Sequence, residues 1–540
     1  MVERKTNNPQ KWAITLFAIG VFMAALDNGI ISAALTTINK DFAVDPNWGA
    51  WGITIYTLGL AISLPIVGKL SDRYGRKKLF IIEIILFGIG SLMVALSPSF
   101  EFYLVSRLIQ ALGGGGIFII GSSHILSTVP QKDQGKLLGM LGGMNGIASV
   151  LGPNIGSFLI KLTGSWHVLF LINVPIAIAL VILGFMKLED SKDPKPGRLD
   201  LFGTILLSGA ILAVMYGLTN IDVDFVESIQ RANVWGFLVA GVVLFAALLV
   251  YEGKLEKKPG GDPIVSVALV KQPRFLLVLL IGALSGALLT GMIYIPAFTE
   301  QVLGIAAENS GYWMTPLAVA AGVGAGLGGA FVDKRGPIFA VVLSGLIAAI
   351  GYFLFPLWVD GKVTFLVASA VAGVGIGIIL GAPLNILSTE GLTSDKGSAV
   401  ATLSLSRQVG MTLAPTLFAG FLARAMNDLG TIFKNDFTGI LQTNIEKADL
   451  SPEAMTELGQ LGKQMANTES MSQADITAVV NAIQDPSLKE VVQTSIAEVT
   501  KIASQNGFDG MYLTAGILGV LIIVLAFILK PLRKSVAHSE

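Results

Sequence analysis

Two charged residues inside apolar runs, Asp27 and Arg107, are the first candidates for chemistry. At 1.5 Å per residue, Asp27 lies roughly 22 Å along its run from Trp12, and Arg107 enters its antiparallel run from the other side. This puts Arg107 about 21 Å from the same face of a ~30 Å hydrocarbon layer. A charge in hydrocarbon needs a partner or a water-filled cavity. We therefore predict a pair in which Asp27 carries a proton, with a static ion pair as the alternative.

A glycine-bounded motif follows the second apolar run and returns in shorter form after the tenth. The first copy reads Gly68-Lys-Leu-Ser-Asp72-Arg73-Tyr-Gly75-Arg76-Lys77, and the second places Asp333 between two glycines at the same spacing. Glycine permits close helix approach and a tight turn, and Asp72 is placed to bind a helix N-terminus or Arg76. The motif predicts a conformational latch, with a plain basic loop as the alternative. Its members are Gly68, Asp72, Arg73, Gly75, Arg76 and Asp333.

The fifth run contains small residues around a proline, Gly146, Gly152, Pro153 and Gly156, and the thirteenth run echoes it from Gly410 to Pro415. Proline removes a backbone hydrogen bond, and the glycines permit close packing. We expect a kinked fifth helix that packs tightly on its mate and seals a central cavity.

Polar residues in other runs are candidates for lining that cavity, although hydrogen bonding between helices would explain them equally well. They are Asn28, Gln110, Asn145, Asn154, Asn173, Tyr294, Asn385 and Arg407. We expect Glu83 to reach the inner interface by snorkelling and His124 to lie at that interface. The glycine run 113–116 lacks a following Lys-Ser/Thr, so it is not a phosphate loop. We expect no catalytic residue, no metal and no cofactor.

The elements that position these residues follow from composition. Of 540 residues, 53% are hydrophobic and only 14% are charged, whereas soluble domains carry roughly 25%. Acidic and basic residues number 37 each and cysteine is absent, which removes the electrostatic basis for nucleic-acid binding and excludes thiol chemistry. Fourteen runs approach the length that spans a bilayer. They lie near 13–35, 49–69, 79–96, 102–127, 135–160, 167–187, 201–219, 233–251, 275–298, 311–331, 338–357, 363–388, 396–424 and 510–529.

The sequence thus predicts an all-α polytopic membrane protein. The segments on the same side of the membrane as the N-terminus contain 25 Lys and Arg residues, whereas the short loops on the other side contain four. Both termini are therefore expected in the cytoplasm. Both repeats recur eight runs apart, which predicts six-helix halves at 1–190 and 261–540 and two inserted helices within 191–260. Residues 425–509 are more polar but keep apolar residues at helical spacing. We expect extracellular amphipathic helices there, with a disordered tether as the alternative.

These motifs resemble the major facilitator superfamily, in particular its fourteen-helix drug:proton antiporter branch of EmrB/QacA-like exporters. Gly68 to Lys77 fits the signature G-x-L-x-D-R-x-G-R-[RK], and Arg107 to Ala111 is similar to R-x-x-Q-G. Residues 152–157 are close to G-P-x-x-G-G, while Leu26-Asp27 begins a segment similar to L-D-x-T-x-x-N-x-A-L-P. The resemblance covers the chain outside about 425–509. It implies two rocking halves, a proton gradient as energy source and drug export from the plasma membrane.

Three function hypotheses follow. The first is proton-coupled export of neutral or monocationic lipophilic compounds, because Asp27 is the only carboxylate expected at depth and a dication would need a second anionic partner. The second is an exporter or flippase of a lipid or lipid-linked envelope component, and the third is a nutrient uptake symporter. The expected partners are a lipophilic substrate or lipid, protons and the bilayer, without nucleic acid, and we expect a monomer.

Overall fold

The structure, a computed structural model, is built from α-helices, and the residues it describes contain no strand. It describes residues 8–49, 51–189, 200–221, 225–258, 263–393, 395–427, 429–448, 450–451, 454–456, 458, 480 and 483–537. The main helices are α1 (Asn8–Asp41), α2 (Trp51–Tyr74), α3 (Arg76–Ala95), α4 (Phe100–Gly114 and Ile117–Thr128), α5 (Gln131–Thr163), α6 (Val168–Leu171 and Asn173–Lys187), α7 (Leu201–Thr219), α8 (Ala232–Leu255), α9 (Pro273–Thr290 and Ile295–Gln301), α10 (Thr315–Arg335), α11 (Pro337–Trp358), α12 (Lys362–Leu380 and Pro383–Thr389), α13 (Lys396–Asn427), α14 (Leu429–Lys447) and α15 (Pro486–Ala537).

Within the described residues, twelve helices are long and apolar enough to cross a membrane. The chain is therefore a multi-pass membrane protein. Helix length and composition identify two fewer membrane-spanning helices than the fourteen that the sequence predicts. The two remaining predicted spans, α5 and α13, are 33 and 32 residues long. Both carry the glycine, proline and polar residues of the helix 5 motif and its echo, which lower their hydrophobicity.

The helices form two clusters that pack against each other along two pairs of helices. In the first cluster α1 packs on α5, and α3 packs on α4 and α6. In the second, α9 packs on α13, and α11 packs on α12 and α15. The clusters meet where α5 packs on α10 and where α2 packs on α13. Helices α7 and α8 pack on each other, and α7 also contacts α2.

Glycine lets α1 and α5 approach closely. A Cβ at Gly152 would lie 2.5 Å from the Cα of Gly29, and one at Gly29 would lie 2.3 Å from the carbonyl oxygen of Ser149. That carbonyl has lost its usual helical donor because Pro153, four residues later, has no N–H. Helix α5 nevertheless continues through Pro153 to Thr163. The motif thus produces backbone-to-backbone contact along an unbroken helix.

The polar segment after α13 is helical where the structure describes it. Helix α14 packs on the first part of α15, a 52-residue helix that includes the predicted run 510–529. Leu429, Phe433 and Phe437 of α14 form an apolar cluster with Leu488 and Val492 of α15. This part therefore extends α15 instead of forming a tether. Residues 459–479, which include apolar positions of the same expectation, lie outside the described residues.

Candidate functional site

Asp27 and Arg107 form a fully buried ion pair. An Nη1 group of Arg107 donates to Oδ2 of Asp27 at 3.0 Å, and neither side chain is exposed. The other carboxylate oxygen, Oδ1, accepts from Gln110 at 2.9 Å and from Asn173 at 2.8 Å. Charge-assisted hydrogen bonds of this kind satisfy a buried carboxylate. Three helices, α1, α4 and α6, therefore converge on one acid.

Neighbouring side chains fix this arrangement. The guanidinium carbon of Arg107 lies 4.0 Å from the centroid of the Tyr56 ring and 5.5 Å from that of Phe170, distances at which a cation is attracted to a ring face. Ser91 of α3 accepts from Gln110 at 2.8 Å. Tyr56 and Ser91 were not predicted from the sequence. The signal for Ser91 was a lone hydroxyl in an apolar run, which is too common to be diagnostic.

Arg407 of α13 occupies a different environment in the second cluster. Its side chain is 9% exposed, and its Nε donates to Ser285 of α9 at 3.3 Å. Nη2 has no hydrogen-bond partner among the described residues, and no described acid pairs with it. Helices α9 and α13 approach as closely as α1 and α5, because a Cβ at Gly286 would lie 2.0 Å from the carbonyl oxygen of Arg407.

Asp72 closes the contact between α2 and α13. One carboxylate oxygen accepts from the backbone N–H groups of Gly397 at 2.8 Å and Ser398 at 3.3 Å, at the start of α13. The other accepts from Ser123 at 3.1 Å and lies 3.5 Å from Nη2 of Arg76. A carboxylate at a helix N-terminus is favoured by the helix dipole. Both partners expected for Asp72, a helix N-terminus and Arg76, are therefore present.

Asp333 makes the matching contact between α10 and α5. It accepts from the N–H groups of Gly135 at 2.9 Å and Lys136 at 3.0 Å, in the first turns of α5. The end of the bundle that carries Asp72 and Asp333 is called the Asp72 end below. There, Lys69 pairs with Asp395 at 3.3 Å, and Lys396 donates to the carbonyl of Leu126 at 2.8 Å. The clusters are thus joined at this end by charged contacts across both interfaces.

The other members of the predicted latch are also at this end. Gly68 faces α13, where a Cβ would lie 2.7 Å from Ala401 and 2.8 Å from the carbonyl of Gly397. Gly75 has a φ of 96° and begins α3, so the turn requires glycine. The half-exposed Arg73 stacks on the neighbouring Tyr74 ring.

The expected cavity residues separate into two groups. Asn28 is exposed, Asn145 and Gly146 are half-buried, and a Cβ at Gly146 would contact nothing within 4 Å. These residues border open space. Gln110, Asn154, Asn173, Tyr294 and Asn385 hydrogen-bond to protein groups in this arrangement. Gln110 and Asn173 bind Asp27, Asn154 donates to Thr315 at 2.7 Å, Tyr294 donates to the Pro415 carbonyl at 2.8 Å, and Asn385 donates to the Gly381 carbonyl at 3.0 Å.

Two further expectations were wrong. Glu83 does not snorkel to an interface: it is 3% exposed, and its Oε2 accepts from the backbone N–H of Gly116 at 3.0 Å. A break in α4 between Gly114 and Ile117, which the sequence does not predict, makes that N–H available. His124 is buried with its ring centroid 5.1 Å from that of Phe17. Its ring therefore packs on Phe17 and is shielded from water.

Comparison with known proteins agrees with this architecture. The family described as Major Facilitator Superfamily matches residues 17–415. The chain is 52% identical over 515 residues to "Uncharacterized MFS-type transporter YfiU" of Bacillus subtilis (strain 168), covering 95% of this chain and 96% of that protein. It is 29% identical over 440 residues to "Multidrug resistance protein 3" of the same organism, covering 80% and 81%. The crystal structure of the human organic anion transporter MFSD10 (TETRAN) has a TM-score of 0.53 at 16% identity, covering 77% of this chain and 94% of that one.

Proposed function

Because this chain belongs to the major facilitator superfamily, we propose that it is a proton-coupled antiporter that exports lipophilic neutral or monocationic compounds by alternating access. The transporter class follows from the family, and several relatives named for multidrug resistance or efflux are 25–30% identical. We assign it to the fourteen-helix drug:proton antiporter branch. The proposed location is the plasma membrane with both termini in the cytoplasm, which makes the Asp72 end cytoplasmic.

The proposed count of fourteen adds α5 and α13 to the twelve apolar spans. Each of these two helices is roughly 50 Å long at 1.5 Å per residue, well over the ~30 Å of a hydrocarbon core. Each packs along an apolar span of its own cluster, α5 on α1 and α13 on α9. Gly152 of α5 and Gly410 of α13 contact neighbouring helices at positions where a lipid-facing helix would carry large apolar residues, which helps to explain the weaker hydrophobicity of both helices.

The proposed domain parse follows the two clusters. Residues 1–190 and 261–540 supply one six-helix half each, and α7 and α8 lie between them in the chain. The repeated carboxylate contacts support this parse, because Asp72 binds the start of α13 while Asp333 binds the start of α5. Release of both contacts would let the Asp72 end open, as alternating access requires.

The observation that carries the proposed coupling is the buried Asp27–Arg107 pair. A membrane-buried acid with a movable cationic partner is a typical proton relay component. Protonation of Asp27 would remove the charge that holds Arg107 and weaken the contacts among α1, α4 and α6. The pair could thereby convert proton binding into helix movement.

The proposed substrate charge follows from the open surface near α1 and α5. Asn28 and Gly146 border open space and are uncharged. Asp27 and Glu83, the acids within the apolar helices α1 and α3, are both buried and bonded. A rigid dication would find no free anionic partner there, so neutral or singly charged molecules should be preferred.

The test is transport in proteoliposomes with an imposed pH gradient, using matched monocationic and dicationic lipophilic dyes. We expect gradient-driven movement of the monocation by the wild type, and its loss in Asp27→Asn, which keeps the side-chain size but does not titrate. Asp436→Asn, at an exposed position of α14, is the matched control and should transport normally. Wild-type transport by Asp27→Asn would overturn the coupling role, and equal transport of the dication would overturn the substrate assignment. Movement of a labelled lipid instead of either dye would favour the lipid alternative.

A further inference from the structure

Helix α4 is interrupted between Gly114 and Ile117, deep inside the first cluster. In a continuous helix the N–H of Gly116 would bind the carbonyl of Leu112. Here that N–H donates to Oε2 of Glu83 at 3.0 Å, and the carbonyl of Leu112 accepts from the hydroxyl of Ser63 at 2.9 Å. Buried backbone groups must be paired. Side chains from α3 and α2 therefore satisfy both groups that the break releases.

The glycines of α4 make this contact possible. A Cβ at Gly113 would lie 2.3 Å from the backbone nitrogen of Phe87 on α3. One at Gly116 would lie 2.1 Å from Val67 and 2.7 Å from Oε2 of Glu83. Any larger residue would push α4 away from α3 and separate the carboxyl from its donor. The glycines of this run therefore allow the Glu83 carboxyl to reach the N–H of Gly116.

No cation among the described residues pairs with Glu83. The other charged and titratable groups described on the helices packed against it contact other groups or are exposed to solvent. Asp27 and Arg107 pair with each other, and Tyr56 lies beneath Arg107. Lys69 pairs with Asp395, and Arg76 binds Asp72, Ser123 and Ser127. Lys77 binds the Phe185 carbonyl, Lys187 stacks on Trp12, Arg73 stacks on Tyr74, and His124 packs on Phe17.

A single backbone N–H does not compensate an ionised carboxylate that is buried in this way. A protonated carboxyl can occupy the same position, because its carbonyl oxygen accepts the N–H of Gly116 without a net charge. Asp27 differs in this respect, since a guanidinium and two amides hold its charge.

The break divides α4 into two segments with different contacts. The segment Phe100–Gly114 carries Arg107 and Gln110 of the ion-pair site. The segment Ile117–Thr128 carries Ser123, which donates to Asp72, and Leu126, whose carbonyl accepts from Lys396. Glu83 therefore lies at the junction between the buried ion pair and the closed Asp72 end.

We propose that Glu83 is a second proton-binding site, which holds a proton while the Asp72 end is closed and releases it to the cytoplasm when that end opens. This rests on the proposed proton-coupled function. Loss of the proton leaves a charge that the buried position does not tolerate, so the carboxyl withdraws from Gly116. The junction in α4 then changes shape, and the segment that carries Ser123 moves relative to Asp72.

The test measures opening of the Asp72 end without any substrate. Because the chain contains no cysteine, spin labels can be attached to a Lys78→Cys, Thr393→Cys protein, both positions being exposed at that end. Pulsed electron paramagnetic resonance then gives the distance as a function of pH in lipid nanodiscs. We expect a short distance at low pH and a longer one at high pH. Glu83→Gln, which keeps the hydrogen-bond acceptor but does not titrate, should stay at the short distance throughout.

Two variants bracket this result. Glu101→Gln, at an exposed position of α4, should keep the wild-type pH step. Ser63→Ala leaves the Leu112 carbonyl without its donor and weakens the closed arrangement, so the midpoint should move to lower pH by roughly one unit, as the loss of one hydrogen bond implies. An unchanged pH step in Glu83→Gln, or no pH step in the wild type, would overturn the proposal.

Infrared difference spectroscopy supplies a second readout. The closed wild-type protein should show the C=O band of a protonated carboxyl, and Glu83→Gln should lack it. Persistence of that band in Glu83→Gln would contradict the assignment. Neither measurement requires transport. If the drug:proton antiport proposal alone is wrong, transport in proteoliposomes will be absent while the pH-dependent distance and the infrared band remain.

Discussion

The two helix clusters differ in the buried charged residues at their centres but have similar carboxylate contacts at the Asp72 end. In the first, Asp27 and Arg107 neutralise each other, and Gln110 and Asn173 complete the bonding. In the second, Arg407 has Ser285 as its hydrogen-bond partner and no described acid. Yet Asp72 and Asp333 both bind backbone N–H groups in the first two turns of a helix of the other cluster. The carboxylate contacts between the clusters are duplicated, whereas the buried ion pair Asp27–Arg107 belongs to the first cluster alone among the described residues.

The interior of the second cluster is correspondingly apolar and aromatic. Phe298 lies within 5.8 Å of the rings of Phe355, Phe365 and Tyr512, measured between centroids. Such rings pack without needing charged partners. The surroundings of Phe298 are therefore less polar than those of Asp27 in the first cluster.

The largest expected effect is a difference in the free energy of unfolding between variants of the two buried arginines, Arg107 and Arg407. Arg107→Ala leaves the carboxylate of Asp27 buried without its cation, a change that typically costs 3–5 kcal/mol. Arg407→Ala leaves no orphaned acid, and Ser285 keeps its bond to the Gly282 carbonyl, so its effect should stay under about 1 kcal/mol. Thermal or denaturant unfolding of the detergent-solubilised proteins measures the difference.

The double variant Asp27→Ala, Arg107→Ala provides the control for that comparison. Removal of both charges should cost less than Arg107→Ala alone, because no isolated charge remains. Equal destabilisation by Arg107→Ala and Arg407→Ala would mean that Arg407 has a charged partner outside the described residues.

The sequence predicted the chemistry of each motif better than the burial of each residue. The depth of Asp27 and Arg107 follows from helical rise, and the glycine motif specified which carboxylates would meet helix ends. The position of Glu83 did not follow, because it depends on a break in α4 that releases the N–H of Gly116. A prediction from sequence periodicity assumes continuous helices, and it therefore places the Glu83 side chain at the nearest membrane–water interface. The full burial of Gln110 also depends on tertiary contacts.

A loss of stability of intermediate size is expected when the close glycine contacts, which occur in both clusters, are disrupted. Gly152→Ala places a Cβ 2.5 Å from the Cα of Gly29, and Gly410→Ala places one 1.9 Å from the carbonyl oxygen of Ala283. Both must separate a pair of helices, at a cost of about 1–3 kcal/mol each. Gly146→Ala, on α5 like Gly152, meets nothing within 4 Å and is the matched control. It should be neutral or slightly stabilising, and a loss comparable with that of Gly152→Ala would contradict the packing described above.

The smallest expected effect compares the two latch carboxylates. Asp72 binds two backbone N–H groups together with Ser123 and Arg76, whereas Asp333 binds two backbone N–H groups. Replacement by Asn removes the charge that favours a helix N-terminus, worth about 0.3–1 kcal/mol, and at Asp72 it also leaves Arg76 without its carboxylate. The closed Asp72 end should therefore be weakened more by Asp72→Asn than by Asp333→Asn.

Opening can be measured as the thiol-labelling rate of an Ala401→Cys parent, because Ala401 is fully buried where α2 meets α13. At about 1.4 kcal/mol per factor of ten, Asp333→Asn should raise the rate by roughly 2- to 5-fold and Asp72→Asn by roughly tenfold. Asp436→Asn should leave it unchanged. Equal increases would mean that Arg76 contributes nothing to closure. A larger increase in Asp333→Asn would mean that the α5–α10 contact, not the α2–α13 contact, controls opening.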